Sequence, residues 1–132
     1  MNSGTRGDVA RRVAVVVEDE ADIRHLLMII LGARGFTVHE AVTGEEARTL
    51  VRDVDPTLIT LDLNLPDVDG IELCSELRRV TEAHILTISA RPPHLTQAQC
   101  LVAGSDHFMP KPFSPRELGT YLDGVFPRVD VA

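Results

Sequence analysis

Short apolar runs recur along the chain. The three clearest are Val13–Val17, Leu58–Leu63 and Ile85–Ile88, and all three are rich in valine, isoleucine or leucine. Runs that are apolar at nearly every position predict strands that are buried on both faces of a parallel sheet. Two weaker runs, Phe36–Glu40 and His107–Met109, are candidates for the edge strands of that sheet.

The segments between these runs have the spacing of amphipathic helices. In the first segment, apolar residues recur at i, i+3, i+4, i+7 and i+8, which places them on one stripe of a helix. One segment, His94–Ala103, is polar and follows Pro92-Pro93, so the regularity of that helix stays open. The stripe of the first segment and those of the three remaining segments consist of Ile23, Leu26, Leu27, Ile30 and Leu31, then Ala47, Leu50, Val51 and Val54, then Ile71, Cys74 and Leu77, and finally Leu118, Tyr121, Leu122, Val125 and Phe126.

Helix ends carry recognisable signals. Thr43 followed by Glu46 predicts a capping box, whose cap contributes about 1 kcal/mol. The segment Ser114–Glu117 predicts an N-cap serine, a proline at the first helical position and a glutamate at the third. Gly32 and Gly35 lie near the end of the first helix, where we expect a left-handed cap.

Five repeats of a strand followed by a helix predict an α/β fold, in which helices cover both faces of a parallel sheet. The 132 residues fit one domain. We predict a disordered polar tail over residues 1–11, a domain over residues 12–127 and a short tail over residues 128–132. In such folds, binding sites form at the carboxyl ends of the strands, near the point where the strand order reverses.

Composition narrows the class of protein. Thirteen basic and 20 acidic residues give a net charge of −7, which argues against direct nucleic-acid binding. The two cysteines, Cys74 and Cys100, fall on apolar positions and are expected to be buried thiols. No apolar run is long enough to span a membrane and the first residues lack a signal-peptide pattern, so we expect a cytoplasmic protein.

Polar side chains follow four of the five strand candidates. Glu18 and Asp19 follow the first, Asp62 and Ser89 end the third and fourth, and Lys111 follows the fifth. Because parallel strands end at one edge, we expect these side chains in one pocket. Two carboxylates about 4 Å apart repel by roughly 4 kcal/mol at an effective dielectric of about 20, so the pocket calls for a cation. Oxygen ligands favour Mg²⁺, and a carboxylate there can attack a phosphoryl group.

This ordered set resembles the receiver domains of two-component response regulators. The resemblance rests on the acidic pair, the stretch Asp62–Gly70, the pair Ser89-Ala90 and the segment from Gly104 to Lys111-Pro112-Phe113. It covers about residues 12–127, nearly the whole chain. It implies a flavodoxin-like (βα)5 fold, a three-layer sandwich whose five-stranded parallel sheet has the order 2-1-3-4-5.

The resemblance also implies roles around a magnesium ion. Asp62 would be the phosphoacceptor and one of the metal ligands. Asp19 would bind Mg²⁺ directly, and Glu18, where aspartate is commoner in the family, would bind it through water. Asn64 would supply a main-chain carbonyl oxygen.

Four further residues correspond to positions that bind the phosphoryl group, respond to it or shape the loop beside it in the family. Ser89 corresponds to the switch hydroxyl, and Lys111 to the lysine that binds phosphate. The peptide bond before Pro112 is cis in the family. Phe108 stands where receivers place a switch aromatic, but it lacks the hydroxyl of the more usual tyrosine.

The implied function is a phosphorylation switch rather than an enzyme that acts on other substrates. A sensor histidine kinase, or a phosphotransfer protein, would supply the phosphoryl group. Phosphorylation would then change a surface on the last two helices and strand 5, which would bind an unidentified downstream protein or a second copy of the chain. We expect no direct contact with nucleic acid or membrane. Because the chain ends soon after the fifth helix, we expect a stand-alone receiver.

Other interpretations stay open from sequence. A receiver-like interaction module that no longer uses phosphate is compatible with Glu18, Phe108 and the double proline. A phosphatase-type hydrolase would need a second acid beside Asp62, where the chain has Asn64. Purely structural roles also exist, because Asp62 can end a strand and the Ser89 hydroxyl can bond to backbone.

Overall fold

The computed structural model describes residues 11–127, in which five strands alternate with five helices as predicted. The strands are β1 (Val13–Val17), β2 (Thr37–Ala41), β3 (Leu58–Asp62), β4 (His84–Ser89) and β5 (His107–Pro110). The helices are α1 (Ala21–Gly32), α2 (Gly44–Val54), α3 (Gly70–Val80), α4 (Pro93–Ala103) and α5 (Pro115–Val125).

All five strands are parallel and lie in the order β2-β1-β3-β4-β5, which confirms the predicted flavodoxin-like α/β fold. Val17 is paired with Leu61, and Asp62 is paired with Ile88. These registers bring the carboxyl ends of β1, β3 and β4 to the same edge of the sheet. The order reverses beside β1, so this edge is also the topological switch point.

Two hydrophobic layers cover the sheet. On one face, α1 and α5 pack on a cluster that includes Val16, Leu31 and Leu118. On the other face, α2 and α3 pack on a cluster that includes Val15 and Leu73. The central strands are buried almost throughout and the edge strands only in part, as the apolar runs predicted.

The two predicted helix starts differ in one detail. At α5, Ser114 and Glu117 form a reciprocal capping box, as predicted. At α2, the Thr43 side chain accepts a hydrogen bond from the Glu46 N–H, but Glu46 Oε1 accepts from Val42 N rather than from the N-cap residue. The glutamate therefore stabilises the turn one residue before the predicted position.

The structure shows where the left-handed turn after α1 lies and whether the helix after the double proline is regular. The C-cap of α1, Ala33, is right-handed, and the left-handed turn lies further on at Gly35, with φ of 84°. The helix after the double proline is regular, because Pro93 occupies its first turn, where no N–H is needed. Leu95 N and Thr96 N both donate to the Pro92 carbonyl.

The tail predictions fall mostly outside the described residues. Residues 1–10 and 128–132 lie outside, whereas Arg11, the last residue of the predicted N-terminal tail, donates to the Val54 and Asp55 carbonyls. No helix within residues 11–127 is long and apolar enough to cross a membrane. Cys74 and Cys100 are buried free thiols, as predicted.

Candidate functional site

A cluster of buried charge lies at the carboxyl edge of the sheet. Lys111 Nζ lies 3.2 Å from Glu18 Oε1 and 3.6 Å from Asp62 Oδ1. Both carboxylates are buried, and the Lys111 side chain is only 10% exposed. The ends of β1, β3 and β5 therefore bring three of the sequence-predicted residues into contact.

The charges in this cluster do not balance locally. Burial, and then repulsion by Asp62, raises the pKa of Glu18 to about 7. Burial lowers the pKa of Lys111, but attraction to Asp62 and Glu18 outweighs it, so the pKa is raised above its ordinary value. One ammonium group thus compensates two buried carboxylates only in part, and a further cation would be favourable here.

The third carboxylate of the cluster comes from a residue that the sequence reasoning did not assign. Carboxylate oxygens of Glu18, Glu20 and Asp62 lie within 4.8 Å of one another. Glu20 Oε1 also lies 3.4 Å from Lys111 Nζ. Asp19, the predicted direct metal ligand, is exposed on the same loop. The acidic run after β1 was the signal for Glu20. Spacing alone did not indicate which acids of this run lie close to Asp62.

The loop between β3 and α3 carries Asn64 past Asp62. Asn64 N donates to Asp62 Oδ1 at 3.2 Å, and Gly70 N donates to the Leu63 carbonyl at 2.9 Å. A Cβ atom at Gly70 would overlap the backbone of Leu63 and Asp62. Glycine is therefore required for the loop to close this tightly beside the acid.

Arg91 holds the root of the same loop. Its guanidinium donates to Asn64 Oδ1, to the Leu63 carbonyl and to Asp69 Oδ1, at 3.1, 3.1 and 2.7 Å. Its backbone N–H donates to Ser89 Oγ at 3.0 Å. Arg91 therefore connects the loop after β4 to the loop after β3.

The remaining predicted residues lie around this cluster. Ser89 is fully buried, and its carbonyl accepts a hydrogen bond from Lys111 N at 2.8 Å. Phe108 is buried in a small cluster with Leu63 and Cys100 rather than exposed beside the acids. The Lys111–Pro112 peptide bond is cis, as the resemblance implied.

A comparison with protein-family models decides the family. Residues 14–123 match the model described as "Response regulator receiver domain". This chain is a response regulator receiver domain. The match extends from β1 into α5, so it includes every element of the receiver fold.

Curated relatives place the receiver in longer proteins. It is 38% identical over 104 residues to "Transcriptional regulatory protein ResD" of Bacillus subtilis, and 36% identical over 104 residues to "Transcriptional regulatory protein SrrA" of Staphylococcus aureus. Each match covers 79% of this chain and 43% of the relative. The chain thus spans less than half the length of these relatives, and a stand-alone role stays a prediction.

Solved structures agree with the fold. A two-component response regulator from Clostridium difficile superposes with a TM-score of 0.84 at 24% identity, covering 89% of this chain and 98% of that one. The BeF3-activated N-terminal receiver domain of Klebsiella pneumoniae RstA gives 0.81 at 25% identity, with coverage of 89% and 100%.

The acidic pocket of this receiver fits a magnesium ion by its donor chemistry. Receiver domains bind Mg²⁺ at such a pocket. The oxygen ligands of Glu18, Glu20 and Asp62 converge, and Mg²⁺ prefers hard oxygen ligands together with water. The raised pKa of Glu18 is a second indication, since a bound cation would relieve the repulsion that contributes to it.

Arg24 is a further residue that sequence reasoning missed. Its guanidinium Nη1 donates to the carbonyls of Glu18 and Asp19, at 3.0 and 3.4 Å. Its Nε pairs with Glu40 Oε1 at 2.8 Å. Arg24 therefore holds the backbone of the acidic loop of the receiver through hydrogen bonds to two of its carbonyls. No motif marks it, because an arginine in the first turns of a helix is usually a solvated surface residue.

Proposed function

We propose that this receiver accepts a phosphoryl group on Asp62 from a sensor histidine kinase and thereby switches a protein-binding surface. The observation that carries the proposal is the Asp62 carboxylate, which is buried at the carboxyl edge of the sheet with Lys111 Nζ 3.6 Å away. A structural ion pair would match each buried carboxylate with a cation, whereas here Glu18 and Asp62 share one ammonium group, which leaves negative charge that a bound cation and phosphoryl transfer would use.

The proposed reaction transfers one phosphoryl group between two proteins. An Asp62 oxygen forms a bond to phosphorus while the bond from phosphorus to the donor histidine nitrogen breaks. The electron pair of the broken bond remains on the imidazole, which returns to its neutral form after proton exchange with solvent. Lys111 stabilises the charge on the phosphoryl oxygens.

The acidic residues would hold Mg²⁺ in this reaction. We propose four groups as its ligands: Glu18, either Asp19 or Glu20, Asp62, and the main-chain carbonyl of Asn64. When bound, the ion would neutralise part of the charge on the phosphoryl oxygens.

Ser89 is the proposed sensor of phosphorylation. Its hydroxyl accepts the Arg91 N–H, and as a donor it can turn to a phosphoryl oxygen on Asp62. A shift of Ser89 would change the loop that leads into α4. The proposed output surface is α4 with β5 and α5, and α4 offers Leu95 and Val102 at 63% and 89% exposure. The same surface is the proposed site of any homodimer.

The proposal gives the protein a signalling role in the cytoplasm and no catalytic activity beyond its own phosphorylation and dephosphorylation. Its downstream partner would be a protein that recognises the phosphorylated surface. A phosphorylation-independent interaction module is the second candidate, favoured by the inward packing of Phe108 in the apolar cluster.

Intact mass and NMR test the proposal directly. The wild-type receiver is incubated with acetyl phosphate and Mg²⁺, or with beryllium fluoride and Mg²⁺, beside Asp62→Ala. Lys111 is the only lysine in the chain, so ¹⁵N-lysine labelling gives a single side-chain signal from the site. We expect a phosphoryl adduct and a shifted Lys111 signal in the wild type and neither in the variant.

Asp53→Asn is a matched control, since Asp53 is an exposed carboxylate on α2. It should form the adduct as the wild type does. A wild type without an adduct would leave the interaction module as the better explanation. Steady hydrolysis of varied phosphoesters would instead indicate a hydrolase.

A further inference from the structure

The tip of the β3–α3 loop is bound to the start of another helix. Asp67 Oδ1 accepts a hydrogen bond from Gly44 N at 2.8 Å, and Asp67 Oδ2 accepts one from Glu45 N at 3.1 Å. Gly44 and Glu45 are the first two residues of α2. These hydrogen bonds, above all the one from Gly44, hold the pKa of Asp67 below its usual range. The carboxylate is thus ionised near neutral pH.

This contact divides the capping of α2 between two segments. The first N–H groups of a helix have no partner within the helix, and they carry partial positive charge. Thr43, from the helix's own N-cap, satisfies the N–H of Glu46. Asp67, which lies beyond β3 in the chain, satisfies those of Gly44 and Glu45. The cap of α2 is therefore also a connection to the loop that leaves the phosphorylation site.

Packing tightens this connection. Val68, next to Asp67, lies so close to Gly44 that a Cβ atom at Gly44 would overlap Val68 Cγ1. Val68 also packs against the cluster beneath α2 and α3. Glycine at the first position of α2 thus allows the loop tip to approach the helix backbone closely.

The same loop carries Asn64 and begins directly after Asp62. Arg91 holds its root through Leu63, Asn64 and Asp69, and Asn64 N donates to Asp62 Oδ1. The contact of Asp67 with α2 holds its tip. The loop is therefore attached at two points, at Asn64 by Arg91 and at its tip by Asp67, which together limit how far its backbone can move relative to the Asp62 carboxylate.

We propose that Asp67 is a positioning residue for phosphoryl transfer, which fixes the β3–α3 loop beside Asp62 by binding it to the N-terminus of α2. The role rests on the proposed function, since it concerns the phosphorylation of Asp62. Asp67 touches neither the phosphoryl group nor the acidic cluster and acts through the Asn64 backbone. By linkage, occupancy of Asp62 also strengthens the hydrogen bonds at Gly44 and Glu45.

The test compares Asp67→Ala with Thr43→Ala. Both variants remove a cap from the same helix, but only the first releases the loop. The rate of adduct formation with acetyl phosphate and Mg²⁺ is followed by intact mass. We expect Asp67→Ala to lower this rate roughly 10-fold, because small displacements of reacting groups have effects of this size or larger. Thr43→Ala should stay within about two-fold of the wild type while both variants unfold at lower urea concentration.

Two further measurements separate positioning from stability. Asp67→Asn keeps one acceptor oxygen and should restore part of the rate. Hydrogen exchange at Gly44 and Glu45 should slow in the wild type when beryllium fluoride is added, and it should not slow in Asp67→Ala.

The measurements distinguish a positioning role of Asp67 from a purely stabilising one. Equal slowing by Asp67→Ala and Thr43→Ala would mean that Asp67 only stabilises α2, and the positioning role would be abandoned. An adduct that forms in Asp67→Ala at the wild-type rate has the same consequence and leaves the proposed function intact. If the wild type forms no adduct, the proposed function fails and this role fails with it.

Discussion

Polar clusters lie at both edges of the sheet, and they are built on opposite principles. At the carboxyl edge, Glu18 and Asp62 share one ammonium group, that of Lys111. At the amino edge, the guanidinium of Arg78 meets one carboxylate, that of Asp106, at 3.1 Å. The first cluster has an excess of buried negative charge, whereas the second is balanced.

The amino-edge cluster also contains several hydrogen bonds to the backbone. Arg78 donates to the carbonyls of Gly104, Thr81 and Ala83, at 3.0, 2.9 and 2.6 Å. Asp106 accepts a further bond from Ile85 N at 2.9 Å. A network that pairs its charges and joins several backbone groups stabilises one arrangement of the chain. An uncompensated buried charge is typical of functional sites and a balanced ion pair of structural ones, so the difference supports the proposed phosphorylation site at the carboxyl edge.

The two edges also titrate in opposite directions. The pKa of Glu18 is raised, so the native state holds a proton there that the unfolded state releases, and stability falls as pH rises from about 4.5 to about 7. At the amino edge, burial lowers the pKa of His84, whose Nε2 lies 2.6 Å from the Tyr121 hydroxyl. Stability is therefore lost there as pH falls below the unfolded value of about 6.5.

The largest expected effect comes from removing the cation of the crowded edge. Lys111→Met leaves Glu18 and Asp62 buried without a positive partner, and we expect a loss of about 4 kcal/mol of unfolding free energy at pH 8. The loss should be smaller at pH 5, because Glu18 is then protonated. Urea denaturation at both pH values measures it. A loss that is the same at both would show that the charges at this edge are not in excess.

At the balanced edge, Arg78→Ala should lower the unfolding free energy by about 3 kcal/mol, because it leaves three carbonyl oxygens and Asp106 without their donor. Urea denaturation measures the loss, and Arg79→Ala, at an exposed neighbour, is the control. Formation of the Asp62 adduct should not change. If Arg78→Ala abolished the adduct while the protein stayed folded, the separation between the two edges would be wrong.

Neutralising Glu18 should stabilise the protein where the acid is otherwise ionised. For Glu18→Gln we expect a gain on the order of 2 kcal/mol at pH 8, since each pKa unit corresponds to about 1.4 kcal/mol, and little change at pH 5. Unfolding curves at the two pH values give the comparison, with Glu82→Gln, which changes an exposed acid outside the cluster, as control. An unchanged slope of stability against pH would exclude Glu18 as its source.

The smallest effect concerns a hydroxyl between the two edges. Within residues 11–127, the Thr60 hydroxyl is buried without a hydrogen-bond partner. Thr60→Val should therefore stabilise the protein by about 1 kcal/mol. Thr87→Val is the matched control, because the Thr87 hydroxyl bonds to Ser105 Oγ and to the His107 carbonyl, and its loss should destabilise. Thermal or urea unfolding that ranks the two variants the other way would contradict the assignment.

Local patterns predicted the elements of this fold well, for an identifiable reason. A strand that is buried on both faces must be apolar at nearly every position, so Val13–Val17 was predicted with its observed bounds. The predicted β2 began and ended one residue early and the predicted β5 ended one residue short, since half-exposed positions tolerate residues such as His39 and Glu40. The end of α1 was predicted near Gly32 and Gly35, but only the structure shows that Gly32 ends the helix and Gly35 makes the left-handed turn.

Within the site, the sequence predicted the residues at the strand ends. It did not predict the residues whose contacts depend on how the loops fold. Glu18, Asp62 and Lys111 meet because parallel strands end at one edge. Glu20, Arg24 and the role of Asp67 depend on how loops turn after those ends. A long side chain has many possible acceptors, and the sequence does not say which of them the folded chain brings within reach.

From the sequence alone came the alternation of strands and helices, which follows from local pattern, and the receiver family, which follows from the resemblance of its ordered motifs. The sequence also predicted that Glu18, Asp62 and Lys111 would meet, because parallel strands end at one edge. Two features became visible only in the folded chain: how the charges at the carboxyl edge are shared, and that Asp67 binds the β3–α3 loop to α2. The physical reason is that a pKa and a hydrogen bond between distant segments depend on burial and distance, which exist only after the layers have packed.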